Sequence, residues 1–297
     1  MGVVWVLALA AASTTSDVAR AAPTWNIERV EAASVNDSSH RKEVSVTCPP
    51  SHHALGAWAM IDGAQGEVAL KAVFPLATAV LGPNPVEEVV AVAAETVDTA
   101  ALWRVRVFAT CAELPLGSVE WEMTTSPSNS DAHKSATAAC GEGKVVVGAG
   151  GAAMLNGKGA VILTAFYPDA GLTQVTAEAS ESVVYGANWE VSAFAVCAHP
   201  SLFDGLMLLT SALLPQSGFA WADCPPTTLD IGGGAAIVPD NGPTPTRTTP
   251  AQVHLTSVAA YSAVIPRSVG VGAEPRNGTS PEWSLQAYAI CAENVRA

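Results

Sequence analysis

Six cysteines, three recurring glutamates, six histidines and eight tryptophans are the side chains of this sequence whose types and spacing could do chemistry. The cysteines stand at 48, 111, 140, 197, 224 and 291, in three pairs separated by 63, 57 and 67 residues. An even count in an exported chain implies disulfides, and symmetry between the pairs narrows the possible connectivities. The preferred pairing is internal to each segment, Cys48–Cys111, Cys140–Cys197 and Cys224–Cys291. The alternative joins Cys111 to Cys140 and Cys197 to Cys224, leaving Cys48 to meet Cys291. Zinc would need four converging ligands, usually at C-x2-C or H-x3-H spacing, and neither occurs. His40 and His133 lie at nearly equal places ahead of their cysteines, in polar surroundings that read as solvated strand ends. No metal and no cofactor is expected.

Glu95, Glu178 and Glu274 each precede a tryptophan and offer one carboxylate per segment. Glycoside hydrolysis needs two carboxylates roughly 5 Å or roughly 6.5–9.5 Å apart. Threefold repetition scatters such groups, so these three read as solvent-facing strand or turn residues. There is no G-x-S-x-G elbow and no cysteine left free as a nucleophile. The glycine runs Gly148-Ala149-Gly150-Gly151 and Gly232-Gly233-Gly234 lack the following Lys-Ser/Thr of a phosphate loop and read as bulges or close packing within strands. Catalysis is the minority reading.

The elements that hold these residues are three copies of one unit. Eight residues after each leading cysteine stands Gly56, Gly148 or Gly232; eight residues before each trailing cysteine stands Trp103, Trp189 or Trp283. Phe108, Phe194 and Tyr288 share a place in the closing segments, Leu70, Leu163 and Leu255 open a central strand, and Lys42 and Lys134 each precede a cysteine by six. The copies span 24–114, 118–200 and 204–297. Short apolar runs and period-2 alternation, broken by Gly, Pro, Asn and Asp, predict strands throughout. In the second copy they fall at Glu120–Thr125, Ser135–Cys140, Val145–Met154, Ala160–Tyr167, Gln174–Ala179 and Trp189–Ala198, with Asn156-Gly157 as a hairpin turn. No stretch carries a sustained helical stripe.

Residues that recur belong first to the fold; those that break the repetition are the candidates for function. The recurring tryptophans read as core wedges. Trp58, Trp121 and Trp221 do not recur, and Trp58, standing where the other copies have glycine, is the first choice for an exposed aromatic. His52 and His53 occur in one copy only, as does the Pro-Thr-rich insertion Pro239–Pro250, expected to form an exposed loop. The binding candidates are therefore Trp58, His52, His53, Trp121 and Trp221.

Hydrophobic residues make up 49% of the 297 and charged residues 14%, a globular composition. The net charge of -13 repels phosphate backbones and anionic lipid, so nucleic acid is excluded as a partner. Val3 to Ala12 is an apolar run too short to span a bilayer, and Ala19-Arg20-Ala21 has cleavage-site spacing, so residues 1–21 are expected to be a signal peptide and the product secreted.

With Cys-Pro-Pro at Cys48 and Cys224, glycines eight residues on and three cysteine-framed β repeats, the chain resembles vitelline membrane outer layer proteins and other β-prism folds. The resemblance implies three sheets enclosing a common core about a pseudo-threefold axis, with lectins among the members. Three tandem β-sandwiches are the alternative all-β architecture. The function expected is a non-catalytic extracellular binding protein for a glycan or a cell-surface or secreted protein partner. A structural or assembly component, and an enzyme acting on an extracellular polymer, are the alternatives.

Overall fold

The computed structural model describes residues 27–78, 86–154, 159–239, 251–260, 267–276 and 282–293. The expected signal peptide, the Asn156-Gly157 turn and residues 240–250 of the insertion lie outside them. The described chain is all-β. Its one helical element is the 3₁₀ turn Pro200–Leu202, and no described helix is long and apolar enough to cross a membrane.

Repeat one supplies β1 (Ile27–Ala33), β2 (Arg41–Thr47), β3 (His52–Asp62), β4 (Val68–Thr78), β5 (Val86–Glu95) and β6 (Arg104–Glu113). Repeat two supplies β7 (Val119–Thr125), β8 (His133–Ala139), β9 (Val145–Met154), β10 (Val161–Pro168), β11 (Gln174–Glu181) and β12 (Glu190–Ala198). These lie within two residues of the strands predicted from the pattern. Repeat three supplies β13 (Met207–Thr210), β14 (Leu214–Pro215), β15 (Phe219–Asp223), β16 (Thr228–Pro239), β17 (Val253–Ala260), β18 (Ser268–Pro275) and β19 (Trp283–Glu293).

Three antiparallel sheets result, ordered β1-β6-β3-β17-β18-β15, β2-β5-β4-β9-β12-β7 and β13-β19-β16-β10-β11-β8, with β14 also on β19. Each repeat forms two halves that face each other as in a sandwich, and each half continues edge to edge into the next repeat. The joins occupy equivalent registers: Val73 opposite Gly151, Phe166 opposite Ala235, Val258 opposite Ala59. One hydrophobic cluster runs through all three repeats. Sheet-edge strands such as β8 and β15 alternate exposed and buried residues, while β3, close to the axis, is apolar and buried over most of its length, as strands covered on both faces must be.

The repeated glycines explain the closure. Leu55, Val147 and Ile231 are bulged residues, and each carbonyl approaches the glycine of the neighbouring repeat. A Cβ at Gly148 would stand 1.8 Å from the Leu55 oxygen, at Gly232 2.4 Å from that of Val147, and at Gly56 2.8 Å from that of Ile231. The cycle closes on itself, so only a residue without a side chain fits at the three positions.

The disulfides are Cys48–Cys111, Cys140–Cys197 and Cys224–Cys291, the internal pairing. Each ties the two halves of its own repeat, and loops of 57 to 67 residues make each cross-link worth roughly 4 kcal/mol on the chain-entropy model. The recurring tryptophans are buried at the far ends of β6, β12 and β19, away from the axis. Trp103 lies under Lys42 and Trp189 under Lys134, with each ammonium 4.7 Å from the ring centroid. The Lys134 ammonium also donates to the carbonyls of Pro127, Asn129 and Trp189, which satisfies a buried cation. Gly218 occupies the matching place in repeat three, which has no such lysine.

Candidate binding site

The register places the candidate residues in three different environments. Trp58, expected at the surface, is fully buried; its indole donates to Thr110 Oγ1 at 2.9 Å, and its ring tip reaches Gly233 of repeat three. The reason is an exchange of volume across the joins. Gly150 and Gly234 leave room for Phe74 and Tyr167 on the neighbouring strand, which stack on Phe194 and Tyr288 at 4.6 and 5.1 Å. At the third join the large residue is Trp58, and the place equivalent to Phe74 and Tyr167 is taken by Ala259.

His53 and Trp121 meet, but inside a seam between repeats one and two. His53 is buried with Nδ1 2.6 Å from Glu87 Oε1, and its ring centroid lies 6.1 Å from that of half-buried Trp121. Glu87 Oε2 accepts from the Ala54 amide at 2.7 Å. Half-buried His52 turns its Nδ1 toward the Pro50 carbonyl at 3.2 Å. The position on β1 equivalent to Trp121 is Arg29, which fills the seam between repeats one and three by pairing with buried Asp230 at 2.5 Å. Trp121 and His53 thus occupy a structural seam rather than an open surface.

The three glutamates are not equivalent either. Alignment on the β-bulges matches Glu95 with Glu181 and Pro275, while Glu178 matches Val92 and Glu274 matches Ala94. They face three different surroundings: Glu95 is fully buried, and Glu178 accepts from the Tyr167 hydroxyl at 3.3 Å. Glu274 accepts from the Gly66 amide at 2.7 Å and so pins the β3–β4 turn of repeat one against repeat three.

Of the five candidates, Trp221 alone is exposed. It is 42% exposed on β15, and Phe219, two residues before it on the same face, is 54% exposed. Across the strand pair stand Gly270 and Gly272, and a Cβ on Gly272 would come 3.2 Å from the Phe219 ring. The missing side chain at Gly272 leaves room for the Phe219 ring. Beside Phe219 opens a cleft of about 130 Å³ between the β3–β4 turn and β17, lined by Met60, Gln65, Thr256 and Glu274 among others. The turn that forms its wall depends on left-handed backbone at Gly63, Ala64 and Gly66. An apolar platform beside an amide, a hydroxyl and a carboxylate is thereby assembled from two repeats.

The corresponding outward positions in the other repeats are Glu43 and Ser45 on β2, and Ser135 and Thr137 on β8, all exposed and polar. The fold therefore does not require aromatics there. Phe219 was legible as the partner of Trp221 through period-2 spacing; Gln65 and Thr256 carried no sequence signal. No protein-family model matches the chain, and no curated protein matches it.

Proposed function

We propose that this protein is a secreted, non-catalytic binding protein that takes a glycan at the Phe219–Trp221 platform and its adjoining cleft. The reading rests on one observation: at two strand positions that are polar in the other repeats, repeat three exposes two aromatics beside a cleft with hydrogen-bonding groups. Sugar rings present apolar C–H faces that stack on aromatic rings, and their hydroxyls need the amide, hydroxyl and carboxylate that Gln65, Thr256 and Glu274 offer. Three disulfides fit an oxidising compartment, and we place the mature chain outside the cell. Each repeat's two facing half-sheets fit the tandem-sandwich alternative, so the glycan reading rests on the exposed aromatics and not on a β-prism layout.

A glycan array probed with the mature chain tests the proposal. Binding to a defined subset of glycans, weakened at least tenfold in Trp221→Ala, is expected. No glycan bound, together with a stable protein partner recovered from culture supernatant, would overturn it in favour of an assembly role.

A further inference from the structure

We propose a divalent-cation site in repeat one, formed by His40, Glu95 and Asp98 and suited to zinc or a similar transition-series ion. One ligand atom from each of the three lies within 4.8 Å of those from the others. The His40 side chain is 57% exposed and Asp98 is exposed, while the Glu95 side chain is inaccessible to solvent. Glu95 Oε2 lies 2.5 Å from His40 Nδ1, and its other oxygen, Oε1, is buried with no hydrogen-bond partner. A buried carboxylate with an unsatisfied oxygen beside two ligating groups is a place where a cation improves the local balance of charge.

Repeat two supplies an internal comparison. Its equivalent of Glu95 is Glu181, also fully buried, with one oxygen accepting from the Tyr185 amide at 3.0 Å and the other unpartnered. The amides of Glu95 and Glu181 bond to the carbonyls of His40 and Ala132, which makes those two residues equivalent. Three residues after each glutamate stand Asp98 and Val184. The buried glutamate is therefore common to repeats one and two, Pro275 standing there in repeat three, and a histidine and an aspartate accompany it in repeat one only. That addition is not required to build the repeat.

The donor set, one imidazole nitrogen and two carboxylates, suits zinc-class ions, whereas calcium and magnesium prefer oxygen alone. Zinc–ligand bonds of about 2.0–2.2 Å put ligand atoms about 3.4 Å apart. The ion would take the place of the proton between His40 and Glu95, with the exposed imidazole turning slightly outward and Asp98 moving in. Bound there, it would tie the β1–β2 connection to the end of β5 and the connection that follows.

Calorimetric titration of zinc into untagged, chelator-stripped protein tests the site. One ion per chain is expected, with affinity reduced at least tenfold in both His40→Ala and Asp98→Asn and unchanged in His133→Ala. Both substituted ligands are exposed, and unchanged melting of the metal-free variants shows that they fold. Absence of saturable binding, or a loss below tenfold in either variant, overturns the assignment.

Discussion

Replacing Gly148 by alanine puts a methyl group 1.8 Å from the carbonyl oxygen of Leu55, where ordinary contact begins at 3.4 Å. The shortfall of about 1.6 Å faces main chain on both sides, so no side chain can swing away. Either β9 or β3 must move at the place where the repeats meet. Overpacking a well-filled core costs typically about 1–3 kcal/mol, and a backbone displacement at the axis belongs at or above the top of that range. At roughly 2 °C per kcal/mol for a domain of this size, Gly148→Ala should melt about 6 °C or more below the parent. Gly186 provides the control, since a Cβ there meets nothing within 4 Å, and Gly186→Ala should change stability by no more than about 0.5 kcal/mol. Thermal and urea unfolding of the disulfide-intact chains give both values. Equal stability of the two variants would refute the close approach of the repeats at the axis.

Other consequences are as definite. Trp58→Ala should cost about 3–5 kcal/mol, as for a fully buried tryptophan, whereas Trp221→Ala should change stability by less than about 1 kcal/mol; urea unfolding separates them. His254 is fully buried with both ring nitrogens unpartnered, and burial pushes its pKa down to about 4. The unfolded chain therefore binds a proton first as pH falls from about 6.5 toward 4, and the folded state loses stability over that window. His254→Leu should remove this loss, so its stability relative to the parent should rise as the pH is lowered. Asp230 has the opposite sign: burial raises its pKa to about 6 against the pull of Arg29, so its contribution falls as pH rises from about 4 to 6. Asp230→Asn should flatten that part of the stability curve, measured by denaturant unfolding at several pH values.

The sequence carried the repeat, the disulfide pairing and the strand positions because each is set by residues that recur at fixed spacing. Gly56, Gly148 and Gly232 could be matched by counting from a cysteine, and the axis then followed from their lack of a side chain. The misreadings have one cause. Glu95, Glu178 and Glu274 stand 8, 11 and 9 residues ahead of their closing tryptophans, so they occupy different registers on the partner strand, and a shift of one to three residues moves a side chain into different surroundings. Trp58 broke the repetition for packing reasons, since its volume replaces that of the aromatic on the neighbouring strand. A residue that departs from the repeat can serve a departure in the core as well as one at the surface. Burial distinguishes the two, and for Trp58 and Trp221 burial depends on contacts between repeats that local spacing does not encode.

Tryptophan fluorescence quenching during glycan titration tests the central claim most directly. Trp221 is 42% exposed, whereas Trp58, Trp103, Trp189 and Trp283 are buried. Acrylamide should quench an accessible component of the parent that is reduced in Trp221→Ala. Addition of a glycan selected from the array should protect that component and leave the rest unchanged. Saturable glycan binding that leaves the quenching of Trp221 untouched would contradict the proposed site.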